Sequence, residues 1–537
     1  MSVSQHLPIL PVLVPLISAA LLASVSEFKR TFKVTVSILS VLLQLVLAVV
    51  LLVKVDATTD ANTALVYLLG NWAPPFGIAL MVDRLAALML VLTAVLALCS
   101  LVFAVARWDR VGIHFYGLFQ LLLMGVNGAF LTHDLFNLFV FFEIMLAASY
   151  GLLLHGSGIM RVRAGLRYIA VNLVSSSIFL VGVGLIYAAT GSLSMAEITL
   201  LTGQIPTSDY ALLQAGAAIL AVAFLVKSAV WPLNFWLPTS YGVAVAPVAA
   251  MFAIMTKVGF YSLLRLWNIV VPEGAVAGLQ TEASWLMSLA MLTLFFASLG
   301  MLAAQDLRRM AGVSIFASTG ILLAGLSLGT TQAWAATLFY LLVSTLVVGA
   351  LFLLIDLLER IRQFGADMLA VTVEAFEAQG MVLPEQEEIG VVIPAALAFL
   401  GLSFVVASIL LTGLPPLSSF LAKFTLLVAI LHPAAGAPAL EHWVLMLLII
   451  ASGLTGIVAF LRFGIRLFWV PESHAPPRLR VIEAGPVAVL LLLCVVLTVC
   501  AGPVMGYLTR TAESLEDSHA TAREVLSTLP VGSEVAQ

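Results

Sequence analysis

Four charged residues lie deep inside long apolar runs: Glu143, Lys227, Lys257 and Lys423. Carboxylates and amines take up and release protons, and burial beside another charge shifts their affinity for them. Glu143 sits in NLFVFFEIMLAASYG, too far from either end of that run to reach water by snorkelling. Lys227 follows ALLQAGAAILAVAFLV and opens the motif KSAVWPLNFWLP. Five residues on, Pro232 lacks an amide hydrogen and breaks the helical ladder. Lys257 lies in TKVGFY, and Lys423 stands seven residues after the adjacent Pro415 and Pro416 of LTGLPPLSSF.

A lysine at bilayer depth costs at least ~2.5 kcal/mol on insertion scales. Broken backbone at that depth survives only against protein or water. A charge beside a broken helix is how transporters build ion sites near the midplane. Each residue also has a plainer reading. Glu143 could tie two helices together through a hydrogen bond, and Lys423 lies nearer an interface than the others. Glu143 is the natural partner for Lys227, because a buried lysine without a nearby negative charge loses its proton.

The elements that position these groups are membrane spans. The chain has 537 residues, 62% hydrophobic and 10% charged, against about 25% charged in a soluble domain. It reads as an all-α polytopic membrane protein with no soluble catalytic domain and no basic surface for nucleic acid. Cys99, Cys494 and Cys500 form neither a CxxC pair nor a disulfide framework. His133 and His155 flank one span at opposite ends, too far apart to share a metal. No cofactor, metal or redox chemistry is expected. The first apolar run, 7–25, has no Lys or Arg before it and reads as a retained helix rather than a signal peptide.

At about 20 apolar residues per crossing, about 14 spans are expected: 7–25, 32–54, 78–106, 112–131, 133–154, 163–190, 210–238, 243–265, 281–303, 306–328, 332–356, 392–432, 441–470 and 481–508. The seventh and twelfth are the broken ones. With both termini outside, 16 of the 24 Lys and Arg fall on the inner side, four outside and four within spans, as the positive-inside rule requires. Asp83, Arg84 and Asp356 sit near span ends and read as anchors or local pairs. Asn127, Asn172, Ser175, Ser176, Ser177, Ser314, Ser318, Ser344 and Thr345 could hydrate a polar seam, though for any one of them helix packing is the commoner role. Residues 357–390 form an acidic inner-face segment, and 509–537 a small, polar outer tail expected to be poorly ordered. Paired interrupted helices point to an internal repeat and to a transport site.

FNLFVFFEIMLAASYGLLLHG, KSAVWPLNFWLP, TKVGFYSLLR and TGLPPLSSFLAKF resemble the D-type member of the Mrp multisubunit Na⁺/H⁺ antiporters. That family is similar in turn to the antiporter-like membrane subunits of respiratory complex I. The resemblance covers about residues 75–470. It implies two inverted five-helix repeats, 112–265 and 281–470, after three N-terminal helices in 1–111 and before a last helix at 481–508. It also implies proton translocation through Glu143, Lys227, Lys257 and Lys423, with partner subunits of A, B, C, E, F and G type and Na⁺ and H⁺ as transported ions. The location implied is the bacterial cytoplasmic membrane, with no catalytic residues. A departure is Leu417-Ser418-Ser419 where the family has Leu-Ser-Gly. The rival reading is a proton-pumping arm of a redox complex, of the complex I or membrane-bound hydrogenase type.

Overall fold

The computed structural model describes residues 3–57, 64–270, 279–379, 395–433, 437–468, 479–528 and 530. After a short 3₁₀ turn come α1 (Leu10–Ser24) and α2 (Arg30–Asp56), then a hairpin of β1 (Leu65–Leu68) and β2 (Ala79–Val82). The strands pair antiparallel in the register Leu65 to Val82. The first five-span set follows: α3 (Arg84–Arg107) leads into α4 (Phe115–Leu131), α5 (Leu135–Leu153), α6 (Ile159–Thr190), a short α7 (Met195–Leu201), α8 (Thr207–Lys227), α9 (Leu237–Val243) and α10 (Ala246–Val270). The second set is α11 (Leu279–Ala303), α12 (Leu307–Ser327), α13 (Thr331–Gln379), α14 (Ala395–Thr412), α15 (Ser418–Leu431) and α16 (Leu440–Phe468). The chain closes with α17 (Val481–Val499), α18 (Ala501–Glu516) and α19 (Ser518–Ser527).

Capping residues mark where spans start. Asp83, Asp134 and Asp306 each precede a helix and accept from the backbone N–H three residues on, at 2.8, 2.7 and 2.6 Å. A carboxylate there satisfies an orphan donor and faces the positive end of the helix dipole. Gly191, with φ +71°, closes α6 in the left-handed region that glycine tolerates best.

Among the described residues, thirteen helices are long and apolar enough to cross a membrane. The fourth expected span, α4, is the shorter one at 17 residues, about 25 Å of rise. The interrupted helices occupy matching places. α8 with α9 is the fourth span of the set running from α4 to α10, and α14 with α15 is the fourth of the set from α11 to α16. An offset of five crossings inverts one set relative to the other. The apolar stretches of α10, α12 and α13 are buried throughout, whereas only 33% of those of α14, α16 and α17 is buried. The central three helices therefore meet protein on every side, and the outer ones present Leu and Val faces suited to lipid.

Three expectations change. The third span does not begin at residue 78, because Ala79–Val82 is a strand and the helix starts only after the Asp83 cap. The acidic segment starts as a continuation of α13, which runs to Gln379; residues 380–390 lie outside the described residues. The C-terminal stretch is an ordered pair of helices as far as Ser527. Tyr507 donates to Arg84 O at 2.7 Å, Arg510 pairs with Asp56 at 2.9 Å, and Ala522 and Val525 are buried. Leu508, Ala512 and Leu515 recur at helical spacing, giving α18 an apolar face to bury.

Candidate functional site

α8 ends at Lys227. Ala229 follows with φ +56°; its N–H donates to Val226 O at 3.0 Å, and that of Val230 to Leu225 O at 3.1 Å. This two-bond closure ends a helix through one left-handed residue. Pro232 lies in the unwound stretch between α8 and α9, which is braced from the second set. Trp231 N–H donates to Thr293 Oγ1 at 3.2 Å, and the Trp231 ring stacks on Phe296 at 4.4 Å. The second break repeats the device: Gly413 has φ +79°, and the Leu414 N–H reaches back to Ile409 O at 3.1 Å. Pro415 and Pro416 then separate α14 from α15.

Lys227 is only 5% exposed. Its ammonium donates to Ser176 Oγ of α6 at 3.4 Å, and Ser176 donates in turn to the Glu143 carboxylate of α5. Among the described residues no direct Glu143–Lys227 ion pair forms within 4.0 Å. The acid and base are joined through a serine, which the sequence reading placed among the seam candidates without linking it to either. Phe142 covers the ammonium, its ring centroid 5.1 Å away. Glu143 itself is half-buried.

Lys257, on the fully enclosed α10, donates to Ser318 Oγ of α12 at 2.7 Å. α10 passes the first break so closely that a Cβ on Gly259 would lie 2.6 Å from Ser228 Oγ and 3.1 Å from the Lys227 carbonyl carbon. Among the described residues, the Ser228 hydroxyl is buried there without a hydrogen-bond partner. Tyr340 of α13 interacts with the same Ser318. Its ring stands 5.9 Å from the Lys423 ammonium. Lys423 donates to Thr412 O, the last carbonyl of α14, at 2.8 Å; a cation there meets the negative end of a helix dipole.

The polar string thus runs Glu143, Ser176, Lys227, then Lys257, Ser318, Tyr340 and Lys423. Every step in it is a group able to donate or accept a proton. Tyr340 and the Thr412 carbonyl were not foreseen. The other seven seam candidates take structural bonds: Ser177, Ser314, Ser344 and Thr345 bond carbonyls of their own helices. Asn172 bonds Tyr168 O, Ser175 bonds Ala223 O on α8, and Asn127 ties to Pro11 O and Gln44.

The remaining charges gather at the two ends of the bundle. At one end Asp83 pairs with Arg265 at 2.7 Å, and Arg84 lies 3.7 Å from Asp56. His133 is buried there, where desolvation first and the Arg265 charge second push its pKa down to about 3. At the other end Asp356 lies 3.8 Å from Arg308 and 3.2 Å from Arg360, and Arg30 pairs with Asp109 at 2.7 Å. His155 Nε2–H donates to Trp108 O at 2.9 Å. Among the described residues no cluster could hold a metal.

Buried lysines beside two interrupted helices, in matching spans of two five-span sets, define a membrane transporter of the antiporter-like class. Residues 132–456 match the family model described as NADH:quinone oxidoreductase/Mrp antiporter, transmembrane region. The chain is 49% identical, over 99% of each chain, to the D-type component of a probable K⁺/H⁺ antiporter from Rhizobium meliloti. It is 32% identical, over 85% of this chain and 87% of the other, to the D-type component of a Na⁺/H⁺ antiporter from Alkalihalophilus pseudofirmus. A chain of the Mrp complex from a Dietzia species has the same fold, with a TM-score of 0.82 at 24% identity, covering 98% of this chain and all of that one. The chain belongs to the NADH:quinone oxidoreductase/Mrp antiporter transmembrane family.

Proposed function

We propose that the chain is the D-type member of a multisubunit monovalent cation/proton antiporter, and that it carries the proton. The observation behind this reading is the row of proton-exchanging groups beside the two breaks: Glu143, Ser176 and Lys227 hydrogen-bonded in series at the first, Lys257 on Ser318, and Lys423 on Thr412 O at the second. Glu143, acting through Ser176, tunes the proton affinity of Lys227. Lys257 and Ser318 receive the proton where α10 passes the first break at Gly259. Lys423 hands it on at the second break. The arginine-rich end, with Arg30, Arg308 and Arg360, faces the cytoplasm, which puts both termini outside the inner membrane.

The cation binds elsewhere in the assembly. A hard ion wants several oxygen ligands with carboxylate charge, and three lysines in the seam repel it. Glu143 is the carboxylate at this depth, and it is committed to Ser176. Partners of A, B, C, E, F and G type complete the machine. Na⁺ is the ion the family resemblance assigns, whereas the 49%-identical relative is named for K⁺. The redox-arm alternative is weaker, because the Rhizobium and Alkalihalophilus relatives are both antiporter components.

The test is reconstitution of this chain alone and of the whole complex in proteoliposomes, with Na⁺ and K⁺ supplied separately. The complex exchanges protons for one or both ions, and the single chain does not. Robust exchange by the isolated chain would return the cation site to the neighbourhood of Glu143.

A further inference from the structure

At the arginine-rich end, a cavity of about 650 Å³ opens between the C-terminus of α3, the α13 turn at Arg360 and the start of α17. It is lined by Arg107, Arg110, Arg360, Arg480, Glu483 and two apolar residues, Ala106 and Leu479. Glu483 offers little to neutralise the others. It is 3% exposed, and its carboxylate is taken by Arg360 at 2.7 Å. Arg360 is doubly engaged, with Asp356 at 3.2 Å on its other nitrogen. Among the described residues, Arg107, Arg110 and Arg480 have no carboxylate within 4.0 Å. Arg107 is held in place by stacking on Trp108, 4.7 Å from the ring centroid. Among the described residues, three guanidinium groups therefore line one opening without a carboxylate partner.

We infer that this cavity binds the phosphate headgroup of an anionic phospholipid. Planar guanidinium forks match phosphate oxygens with paired hydrogen bonds. Basic pockets between spans at a membrane surface are suited to anionic headgroups. The volume lies in the range of sites for ligands of ~300–1,000 Å³, larger than an inorganic phosphate fills. Below the opening, α17 turns Val489, Leu492 and Val496 outward, with exposures of 47%, 60% and 44%. These three recur at helical spacing and form a track for an acyl chain, which a free phosphate has no use for. The same helix buries Leu490, Leu491 and Cys494 on its opposite face.

The occupied site joins α3, α13 and α17 at the end of the molecule where α13 leaves the seam. This bears on stability and assembly, and it does not depend on the route of the proton.

The test uses the purified antiporter complex in detergent, with retained lipid read by native mass spectrometry and affinity by titration with phosphatidylglycerol, phosphatidylcholine or inorganic phosphate. The unaltered complex binds phosphatidylglycerol at least tenfold more tightly than phosphatidylcholine. Each arginine beside an anionic headgroup contributes about fivefold. The combined variant Arg107→Gln, Arg110→Gln, Arg480→Gln then weakens phosphatidylglycerol binding roughly 100-fold, and Arg110→Gln alone about fivefold. Arg163→Gln with Arg167→Gln, at exposed positions on α6, leaves binding unchanged. If the triple variant does not assemble, the single variant decides. Retention of binding by the cavity variants, an equal loss in the α6 control, or no preference for the anionic lipid in the unaltered complex would overturn the proposal. Displacement of the lipid by ~10 mM phosphate would replace it with a free-anion site.

Discussion

Ser176 joins Glu143 to Lys227: its hydroxyl donates to the carboxylate and accepts from the ammonium 3.4 Å away. One oxygen therefore transmits the state of the acid to the base, and a change at Glu143 reaches Lys227 through a bond that can reverse its direction.

Replacing that oxygen separates the two. Ser176→Ala is expected to lower exchange about tenfold at unchanged protein level, while Ser177→Ala is silent because its hydroxyl bonds Leu173 O on its own helix. Dequenching of a ΔpH-sensitive dye in everted vesicles, on adding Na⁺ or K⁺, reads both. Equal behaviour of the two variants would remove Ser176 from the path.

At the second break the critical atom is one that is missing. A Cβ on Gly413 would lie 2.6 Å from Lys423 Cδ, and its φ of +79° disfavours any other residue. Gly413→Ala carries a backbone cost of ~1–2 kcal/mol and pushes Lys423 from Thr412 O. Exchange falls at least tenfold in the same vesicle assay, and the thermal midpoint of the complex drops. Full activity in Gly413→Ala would show that the lysine–carbonyl contact is dispensable.

The middle of the seam depends on Ser318, which Lys257 and Tyr340 share. Ser318→Ala removes both interactions and is expected to reduce exchange more than Tyr340→Phe, which removes one. The reverse order would place the proton on Tyr340 rather than on the serine.

Much of this site was legible because a charge inside an apolar run is visible in one dimension. Glu143 and the three lysines needed only depth, and Pro232, Pro415 and Pro416 needed only the missing amide. Partners are a three-dimensional matter. Ser318 and Ser314 read alike in sequence, yet one faces Lys257 and the other bonds its own helix at Ala311 O. Tyr340 looked like any apolar-span aromatic, and Thr412 contributes a carbonyl that no side-chain reading can find. The helical character of 509–527 was missed for another reason: its low hydrophobicity resembles a tail, although the spacing of Leu508, Ala512 and Leu515 carried the helical period.

The pH dependence of exchange should not originate at His133. Burial, and then the neighbouring Arg265, push its pKa down to about 3, so the ring stays neutral from pH 8 to pH 5. Its cost to the folded state grows as pH falls below the ordinary histidine value of 6.5, where the unfolded chain takes up the proton first, and levels off near pH 3. His133→Gln is expected to leave the shape of the activity profile between pH 6 and 8 unchanged. A shifted profile would put a proton on this histidine during turnover.

The central claim is that the proton leaves and returns at Lys227, and the most direct measurement compares Lys227→Arg with Lys227→Ala in the reconstituted complex. Arginine keeps the positive charge beside Ser176 but does not give up its proton at any working pH. The account predicts cation-driven proton movement at background in both variants, with assembly and protein level unchanged. Exchange near the unaltered rate in Lys227→Arg would contradict it, by showing that only the charge is needed and that the proton travels another way.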